Sequence, residues 1–436
     1  MLETLKNAWK VKELRNKILF TIFIILIFRI GSVIPVPFVD VNVLRESLTA
    51  LKEAGQDNQF FSYLSILTGG GLEYGAIFAM SVTPYINASI IVQLLCVAIP
   101  ALERLSKEGE EGQKKLAQIT RYATIILSLI QGVAYFIYLK NGGGEYPTYL
   151  TATKTAAVIF AGFVIVLAFT AGSALVMWLG EQIDEKGIGN GISILLFAGI
   201  LSRGPQAFGA MVSYWKIGQQ FAVIGIAVGF LLVVAFVVWM TAAERRIPVQ
   251  YAKRVVGNKM YGGQNTHIPI KVNMSGVMPI IFASSILMLP TMILGFMDTT
   301  NPNTFQKFLQ LFSVRGLFYA IIYFAMIIGF AYFYSTIQFN PVEMANNLRK
   351  NGGAIPGIRP GKPTSDFISK ILSRITLMGA LFLSVIAILP IIIGNVGKIN
   401  ISLGGTSMLI MVGVALDTVR NLESQMMMRH YKGFLD

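Results

Sequence analysis

Cysteine, histidine and acidic side chains are scarce in this chain of 436 residues. It has one cysteine and two histidines, and 22 acidic side chains stand against 36 lysines and arginines. The single cysteine, Cys96, excludes an internal disulfide, and its apolar surroundings are typical of a small buried hydrophobic residue. His267 and His430 lie outside the apolar runs. A Ser-His hydrolase buried in an apolar region is therefore excluded.

Charge of either sign is also sparse, at 13% of residues, whereas a soluble chain of this size carries about a quarter. Hydrophobic residues make up 54% of the chain and the mean hydropathy is +0.63. Apolar runs of membrane-spanning length recur. The composition therefore predicts a polytopic helical membrane protein, and we expect ten spans at about 18–36, 75–100, 122–139, 155–178, 191–202, 218–243, 274–296, 317–338, 372–393 and 405–421.

Ten spans place both chain ends on one side of the membrane. Of the 36 basic side chains, 26 then lie on the side of the ends and nine on the other side, while Arg29 lies inside the first span. The positive-inside rule predicts cytoplasmic ends, and it explains most of the net charge of +14 without a partner. We expect Arg29 to face protein or water rather than lipid. The alternative is an arginine that snorkels or binds backbone carbonyls.

A short apolar stretch, residues 60–68, precedes the triple glycine Gly69, Gly70 and Gly71. It is too short to span, which favours a re-entrant or buried helix with a glycine hinge. An interfacial helix is the alternative.

Two long basic loops, 244–272 and 339–371, lie on the cytoplasmic side of this topology. Ile247–Tyr251 and His267–Val272 bracket a glycine-containing tip, which predicts a two-stranded hairpin. The tip of the second loop, 352–361, is rich in Gly and Pro and has no apolar period, so we expect a shaped loop.

One ten-residue pattern occurs in each half of the chain. Val82–Ile91 and Val277–Ile286, aligned on Pro84 and Pro279, share six of ten residues. Paired Pro-interrupted membrane segments indicate an internal repeat with a functional site at its interface. Two unrelated helices that share a Pro-containing bend are the alternative.

The span centres carry no acid, and the chain has no HExxH motif and no Walker loop. Ion-coupled transporters usually keep an acid or histidine near mid-membrane, and enzymes need such groups for chemistry. Val82 and Ile86 share one helix face, as do Ile192 and Leu196. A ring of such side chains would make a dry constriction that blocks ions. Ordinary packing or lipid contact is the alternative.

Six motifs together resemble the SecY family of protein-translocation channels over essentially the full chain. They are Phe28-Arg-Ile-Gly-Ser-Val-Ile-Pro35, Pro84-Tyr-Ile-Asn-Ala-Ser-Ile-Ile91, Gly187-Ile-Gly-Asn-Gly-Ile-Ser193, Lys271-Val-Asn-Met-Ser-Gly-Val-Met-Pro279, Arg359-Pro-Gly361 and Gly404-Gly-Thr-Ser407.

The resemblance implies an all-α polytopic membrane protein, with ten helices in two pseudo-symmetric inverted halves that form a clamshell. The halves are residues 1–205 and 206–436, and a re-entrant plug helix occupies about 57–74. The resemblance also implies roles for individual residues, which fall into three sets. The pore ring is Val82, Ile86, Ile192, Leu196, Ile281 and Ile410; the plug and its hinge are Phe61, Tyr63, Leu64, Ile66, Leu67, Gly69, Gly70 and Gly71; the lateral gate has Asn87, Ser89, Ser284 and Ser285.

The resemblance further implies a non-enzymatic channel in the bacterial plasma membrane that needs no cofactor. It passes unfolded secretory polypeptides and releases apolar segments into lipid. Implied partners are SecE and SecG in a heterotrimer, the SecA ATPase, the ribosome, signal-bearing precursors and membrane lipids. The docking candidates are Arg245, Arg246, Lys253, Arg254 and Arg359. Two other classes are an inverted-repeat transporter for a small solute and an intramembrane enzyme. The chain lacks the polar residues that either function requires inside the membrane.

Overall fold

A computed structural model of the chain describes residues 8–53, 65, 68–141, 149–151, 155–218, 220–251, 254–256, 259–261, 265–273, 276–295, 303–312, 317–397 and 405–432. The chain divides into two compact units. Unit 1 is Met1–Gln220, Leu287–Val314 and Val414–Asp436, and unit 2 is Phe221–Ile286 and Arg315–Gly413. The division into halves at residue 205 stays a prediction.

Most of the described chain is helical. In order, the helices are α1 Lys12–Gly31, α2 Val41–Glu53, α3 Thr83–Ala98, α4 Pro100–Lys107, α5 Glu110–Asn141, α6 Thr155–Lys186, α7 Gly191–Leu201, α8 Gly204–Lys216, α9 Gln220–Ala242, α10 Met278–Gly295, α11 Thr304–Gln310, α12 Leu317–Gln338, α13 Pro341–Lys350, α14 Lys362–Gly397 and α15 Gly405–Lys432. Within the described ranges, six helical stretches are long and apolar enough to cross a membrane. The α3–α4 pair, bent by 104°, would be a seventh.

The class all-α is wrong in one respect, because unit 2 contains short strands. They are β1 Glu244–Tyr251, β2 Arg254–Val256, β3 Lys259–Tyr261, β4 Asn265–Lys271 and β5 Gly353–Ala354. β1 pairs antiparallel with β4, which confirms the predicted hairpin, and β2 pairs with β3 at its tip. β5 adds a third strand on the other edge of β1, with Gln250 opposite Ala354. The two basic loops therefore form one sheet of order β4-β1-β5.

The sheet of unit 2 has a hydrophobic core of its own. Ile247 and Val249 point inward from β1 and alternate with exposed residues. They pack with Ile270 of β4, Ile355 after β5 and Ile368 of α14. This alternation is the two-residue period of a sheet with one covered face.

Several segments predicted as loops are helical. Residues 101–121 form α4 and the start of α5, residues 181–186 end α6, and residues 203–217 contain α8. These segments are polar but helix-compatible, and their charges pair along the helix, as Lys107 does with Glu103 at 2.6 Å. Gly109, with φ +79°, separates α4 from α5.

The second predicted span begins too early, because residues 75–82 form turns and not helix. Their backbone pairs instead with the segment after α1. The Ile77 N–H donates to the Ile34 carbonyl at 3.0 Å, and the Val36 N–H donates to the Gly75 carbonyl at 2.9 Å. Tertiary pairing therefore overrides the apolar character of this stretch, and the helix starts next to Pro84.

The core of unit 1 fixes this turn segment in place. Tyr135 and Tyr138 of α5 and Phe169 of α6 are buried with Leu72 and Met80 of the segment. The Tyr135 hydroxyl donates to the Leu72 carbonyl at 3.2 Å. A buried tyrosine usually needs such a partner, so the bond specifies how α5 meets the turn segment.

Candidate functional site

The two copies of the repeat adopt the same local structure. Pro84 is the second residue of α3, and Pro279 is the second residue of α10. The Ile86 N–H donates to the Val82 carbonyl at 3.0 Å, and the Ile281 N–H donates to the Val277 carbonyl at 3.2 Å. Both prolines therefore begin a helix rather than interrupt one, and this position leaves no hydrogen bond unmade.

Helix α7, which carries Ile192 and Leu196, starts from a strongly capped turn. The Asn190 side chain accepts a hydrogen bond from the Ser193 N–H at 2.9 Å. The Asp184 carboxylate at the end of α6 accepts one from the Gly191 N–H at 2.7 Å. Two of the free N–H groups of the first turn are thus satisfied by side chains, which fixes the start of α7.

Glycines let α6 and α7 approach closely. A Cβ added to Gly191 would lie 2.8 Å from the Gly180 carbonyl carbon, and one added to Gly180 would lie 2.6 Å from Cδ1 of Ile192. The Gly191 site has no room for a side chain, because its neighbours are backbone atoms of Gly180. Close approach through small residues is a common way to pack helices in membranes. Leu196 is fully buried, and Ile192 is half-buried over Gly180.

Ile281 and Ile410 lie on two helices that meet within unit 2. A Cβ added to Gly413 of α15 would lie 2.8 Å from Cγ1 of Val277. Ile281 is one turn after Val277 and Ile410 is about one turn before Gly413, and both isoleucines are buried. Val82, Ile86, Ile192 and Leu196 lie in unit 1. The ring as a whole stays a prediction.

Two polar residues of the predicted lateral gate, Ser284 and Ser89, bond within their own helices. The Ser284 hydroxyl is buried and donates to the Ile281 carbonyl at 3.0 Å, and Gln93 donates to the Ser89 hydroxyl at 3.5 Å. Asn87 and Ser285 are half-buried. Small side chains such as these serines present little bulk, which favours close approach of a partner helix.

Residues Phe61, Tyr63, Leu64, Ile66 and Leu67 of the predicted plug lie outside the described residues. The glycines that follow are described. Gly69 has φ +64° and Gly70 has φ +95°. Only glycine adopts this left-handed region at little cost, so the turn requires these residues.

Arg29 faces protein, as expected for a charge inside a span, and it also binds a backbone carbonyl, which was part of the alternative. Its guanidinium donates to the Ser202 hydroxyl at 2.9 Å and to the Gly69 carbonyl at 3.4 Å. Next to it, Arg203 forms an ion pair with Glu73 at 2.9 Å. The sequence analysis missed this pair, because 130 residues separate its partners and both residues are near span ends, where charges are common.

Four of the five docking candidates lie in the described part of unit 2. Arg245 and Arg246 are exposed on β1, and Arg246 pairs with Glu244 at 2.7 Å. Arg359 is exposed after β5, and its carbonyl accepts a hydrogen bond from Thr364 at 2.8 Å. Arg254 lies in β2, and Lys253 lies outside the described residues.

Comparisons with known proteins identify relatives of this chain. A family model described as SecY matches residues 76–419. The SecY subunit of the protein translocase of Mycobacterium bovis is 44% identical over 445 residues, and the match covers both chains completely. A solved SecY channel, whose plug domain is described as stabilising the closed state, aligns with a TM-score of 0.64 and 18% identity and covers 94% of this chain and 92% of its own. Canine Sec61, in a ribosome–channel complex from the endoplasmic reticulum, aligns with a TM-score of 0.62 and 17% identity, with the same coverage.

Proposed function

Because the chain belongs to the SecY family, we propose that its six aliphatic residues seal a pore through which unfolded polypeptides cross the membrane. The protein is a channel subunit of a protein translocase and not an enzyme. The observation that carries the sealing role is the repeat. In each unit, a proline-initiated helix places an isoleucine, Ile86 or Ile281, at the same point of its first turns.

The chemistry of the six side chains suits this role. Val82, Leu196, Ile281 and Ile410 are each at most 8% exposed. A constriction lined only by aliphatic groups excludes ions by dewetting, whereas a polar ring would hold water. Aliphatic groups also bind no polar part of a passing chain strongly, so the polypeptide is not trapped.

The proposed architecture has ten spans, with both chain ends in the cytoplasm. Besides the seven apolar stretches described above, the α3–α4 pair included, the spans include three that carry charge or are short. These are α1, with Arg29 inside it, α10, and the apolar first part of α15. Charge in α1 is tolerated because Arg29 is satisfied by Ser202 and by a backbone carbonyl. The large excess of basic residues on the loop side supports this orientation.

We place the lateral gate between α3 and α10. Apolar segments of a precursor partition through it into lipid, driven by the removal of apolar surface from water. Interhelical hydrogen bonds in membranes are worth about 1 kcal/mol each. The four gate residues, Asn87, Ser89, Ser284 and Ser285, would therefore bias the closed gate without locking it.

The sheet of unit 2 is the proposed docking body for SecA or the ribosome, and SecE and SecG would complete the heterotrimer. Arg245, Arg246 and Arg359 project from the body that joins both basic loops. Ribosomal RNA is attracted by clustered arginines through its phosphates. The solved ribosome complex of canine Sec61 supports a ribosome partner for this fold.

The seal is tested by placing one polar group in the ring. Ile86→Asn or Ile281→Asn is expected to increase ion leakage through the resting channel in vesicles and to relax the need for a signal sequence, because the amide retains water. Ile86→Leu and Ile281→Leu are the matched aliphatic controls and should remain tight. If both Asn variants are as tight as their Leu controls, the ring assignment is wrong.

A further inference from the structure

The glycine-containing turn at residues 68–74 is held from two sides by arginines. On one side, Arg29 of α1 donates to the carbonyl of Gly69, and the same guanidinium donates to Ser202. On the other side, Arg203, which follows Ser202 in the chain, pairs with Glu73 at 2.9 Å. We call Arg29, Ser202, Arg203 and Glu73 the arginine clamp.

The clamp fits the turn closely. A Cβ added to Gly69 would meet the Ser202 hydroxyl and would lie 2.8 Å from the Gly199 carbonyl oxygen, and one added to Gly70 would lie 3.5 Å from the Arg203 guanidinium. The triple glycine is thus more than a hinge. It lets the backbone enter the space between the two arginines.

The ion pair of the clamp is shielded from solvent. The side chain of Arg203 is 14% exposed and that of Glu73 is 20% exposed, whereas in the Arg121–Glu181 pair of the same unit Arg121 is 46% exposed. Shielded pairs interact more strongly than exposed ones, because less water screens the charges. Breaking such a pair without a replacement partner is costly.

Ser65 ties the clamp to the segment before the turn. Arg203 donates to the Ser65 hydroxyl, and this hydroxyl donates to the Glu73 carboxylate at 2.9 Å. The Gly70 N–H also donates to the Ser65 carbonyl at 2.8 Å. Ser65 lies within the sequence range assigned to the plug. Arg203 therefore binds one residue before the turn, Ser65, and one residue near its end, Glu73. The chain before the turn cannot leave this position while the three side chains remain bonded.

We propose that the Arg203–Glu73 ion pair is a latch that holds the plug segment in the closed channel and sets the threshold for opening. This inference rests on the proposed sealed channel and on the plug role that the resemblance to the SecY family implies for residues 57–74. Arg29 is a positioning residue, because it anchors the Gly69 carbonyl and orients the turn toward Arg203. Opening requires that Glu73 exchange Arg203 for water or for another cation.

The test compares resting ion leakage of the reconstituted complex in vesicles without precursor. Glu73→Gln keeps the shape of the side chain and removes its charge, and it is expected to raise the leak rate about tenfold, equivalent to about 1.4 kcal/mol. Arg203→Gln should have a similar effect, and the double variant should leak no more than either single variant, since both remove one interaction. Glu181→Gln, which removes the more exposed pair with Arg121, is the matched control and should leave the seal unchanged.

Two further variants separate the latch from the plug and from folding. Arg203→Lys keeps the charge and should restore most of the seal, which a fold defect would not allow. Deletion of residues 57–67 tests the plug itself. A leaky deletion together with a tight Glu73→Gln variant would overturn the latch and keep the plug. A tight deletion with a leaky Glu73→Gln variant would overturn the plug assignment. If the leak rates of Glu73→Gln and Arg203→Gln multiplied in the double variant, the two residues would not act as a pair.

Discussion

Replacement of Gly191 by alanine should move α7, the helix that carries Ile192 and Leu196. The added Cβ would lie 2.8 Å from the Gly180 carbonyl carbon and 2.9 Å from Cβ of Ile183. Carbon atoms pack at about 3.5–4.0 Å, and the Gly180 carbonyl oxygen lies closer to the added Cβ than either carbon, so α7 has to move away from α6 by at least about 0.7 Å. Neither obstacle is the end of a flexible side chain, and both belong to α6.

The expected cost follows from this overlap. Overpacking of a close contact costs about 1–3 kcal/mol. Replacing a helical glycine by alanine returns at most about 1 kcal/mol. Because the obstacle is backbone, the cost lies at the upper end of this range, and the free energy of unfolding should fall by about 2 kcal/mol, which changes the ratio of folded to unfolded protein by a factor of roughly 30. The displaced helix should also weaken the seal.

Equilibrium unfolding in mixed micelles measures the first effect, and ion leakage from vesicles measures the second. Gly209→Ala in α8 is the matched control, because a Cβ there has no neighbour within 4 Å among the described residues. That variant should be as stable as the parent or slightly more stable. A Gly191→Ala protein with the same free energy of unfolding as the control and no added ion leakage would refute this reasoning. In that case the close α6–α7 contact does not position the ring residues.

Two further predictions concern the cytoplasmic body of unit 2. Arg359→Glu should abolish SecA-driven transport and leave the unfolding midpoint unchanged, because the side chain is exposed. Lys307→Glu, on the exposed face of α11, is the control. Normal transport by the Arg359→Glu variant would exclude the docking role. Ile368→Ala should destabilise the sheet by about 2–5 kcal/mol, since Ile368 is fully buried beneath it. The Ile368→Ala variant should be cleaved faster by a protease within residues 244–272. Cleavage at the parental rate would contradict a core shared by the two loops.

The strongly apolar helices could be predicted from the sequence alone. The bounds expected for the eighth span, 317–338, coincide with α12, and α9 differs from its prediction by one or two residues at each end. An uninterrupted apolar run favours such helices, because a helix satisfies every backbone hydrogen bond within its own segment inside a membrane. The hairpin of β1 and β4 also followed from its alternating apolar residues.

Features that depend on tertiary contacts could not be predicted. β5 has only two residues, so its pairing with β1 leaves no periodic signal. Residues 75–82 are as apolar as a span, but their backbone pairs with the segment after α1. The Arg203–Glu73 pair joins positions far apart in the sequence, and spacing carries no information on it. Short helices between the spans, such as α8, give no signal in a prediction that rests on the length of apolar runs.

The central claim is that a polypeptide in transit passes through the ring of aliphatic residues. Single cysteines at Ile86, Ile192, Ile281 and Ile410 would be combined with a cysteine in a precursor stalled during transport, after replacement of Cys96 by serine. Disulfide cross-links at these four positions, and none at the exposed lipid-facing residues Leu231 and Leu232 of α9, are expected. Cross-links to α9 without cross-links to the four isoleucine positions would contradict the claim and return the solute-transporter class to consideration.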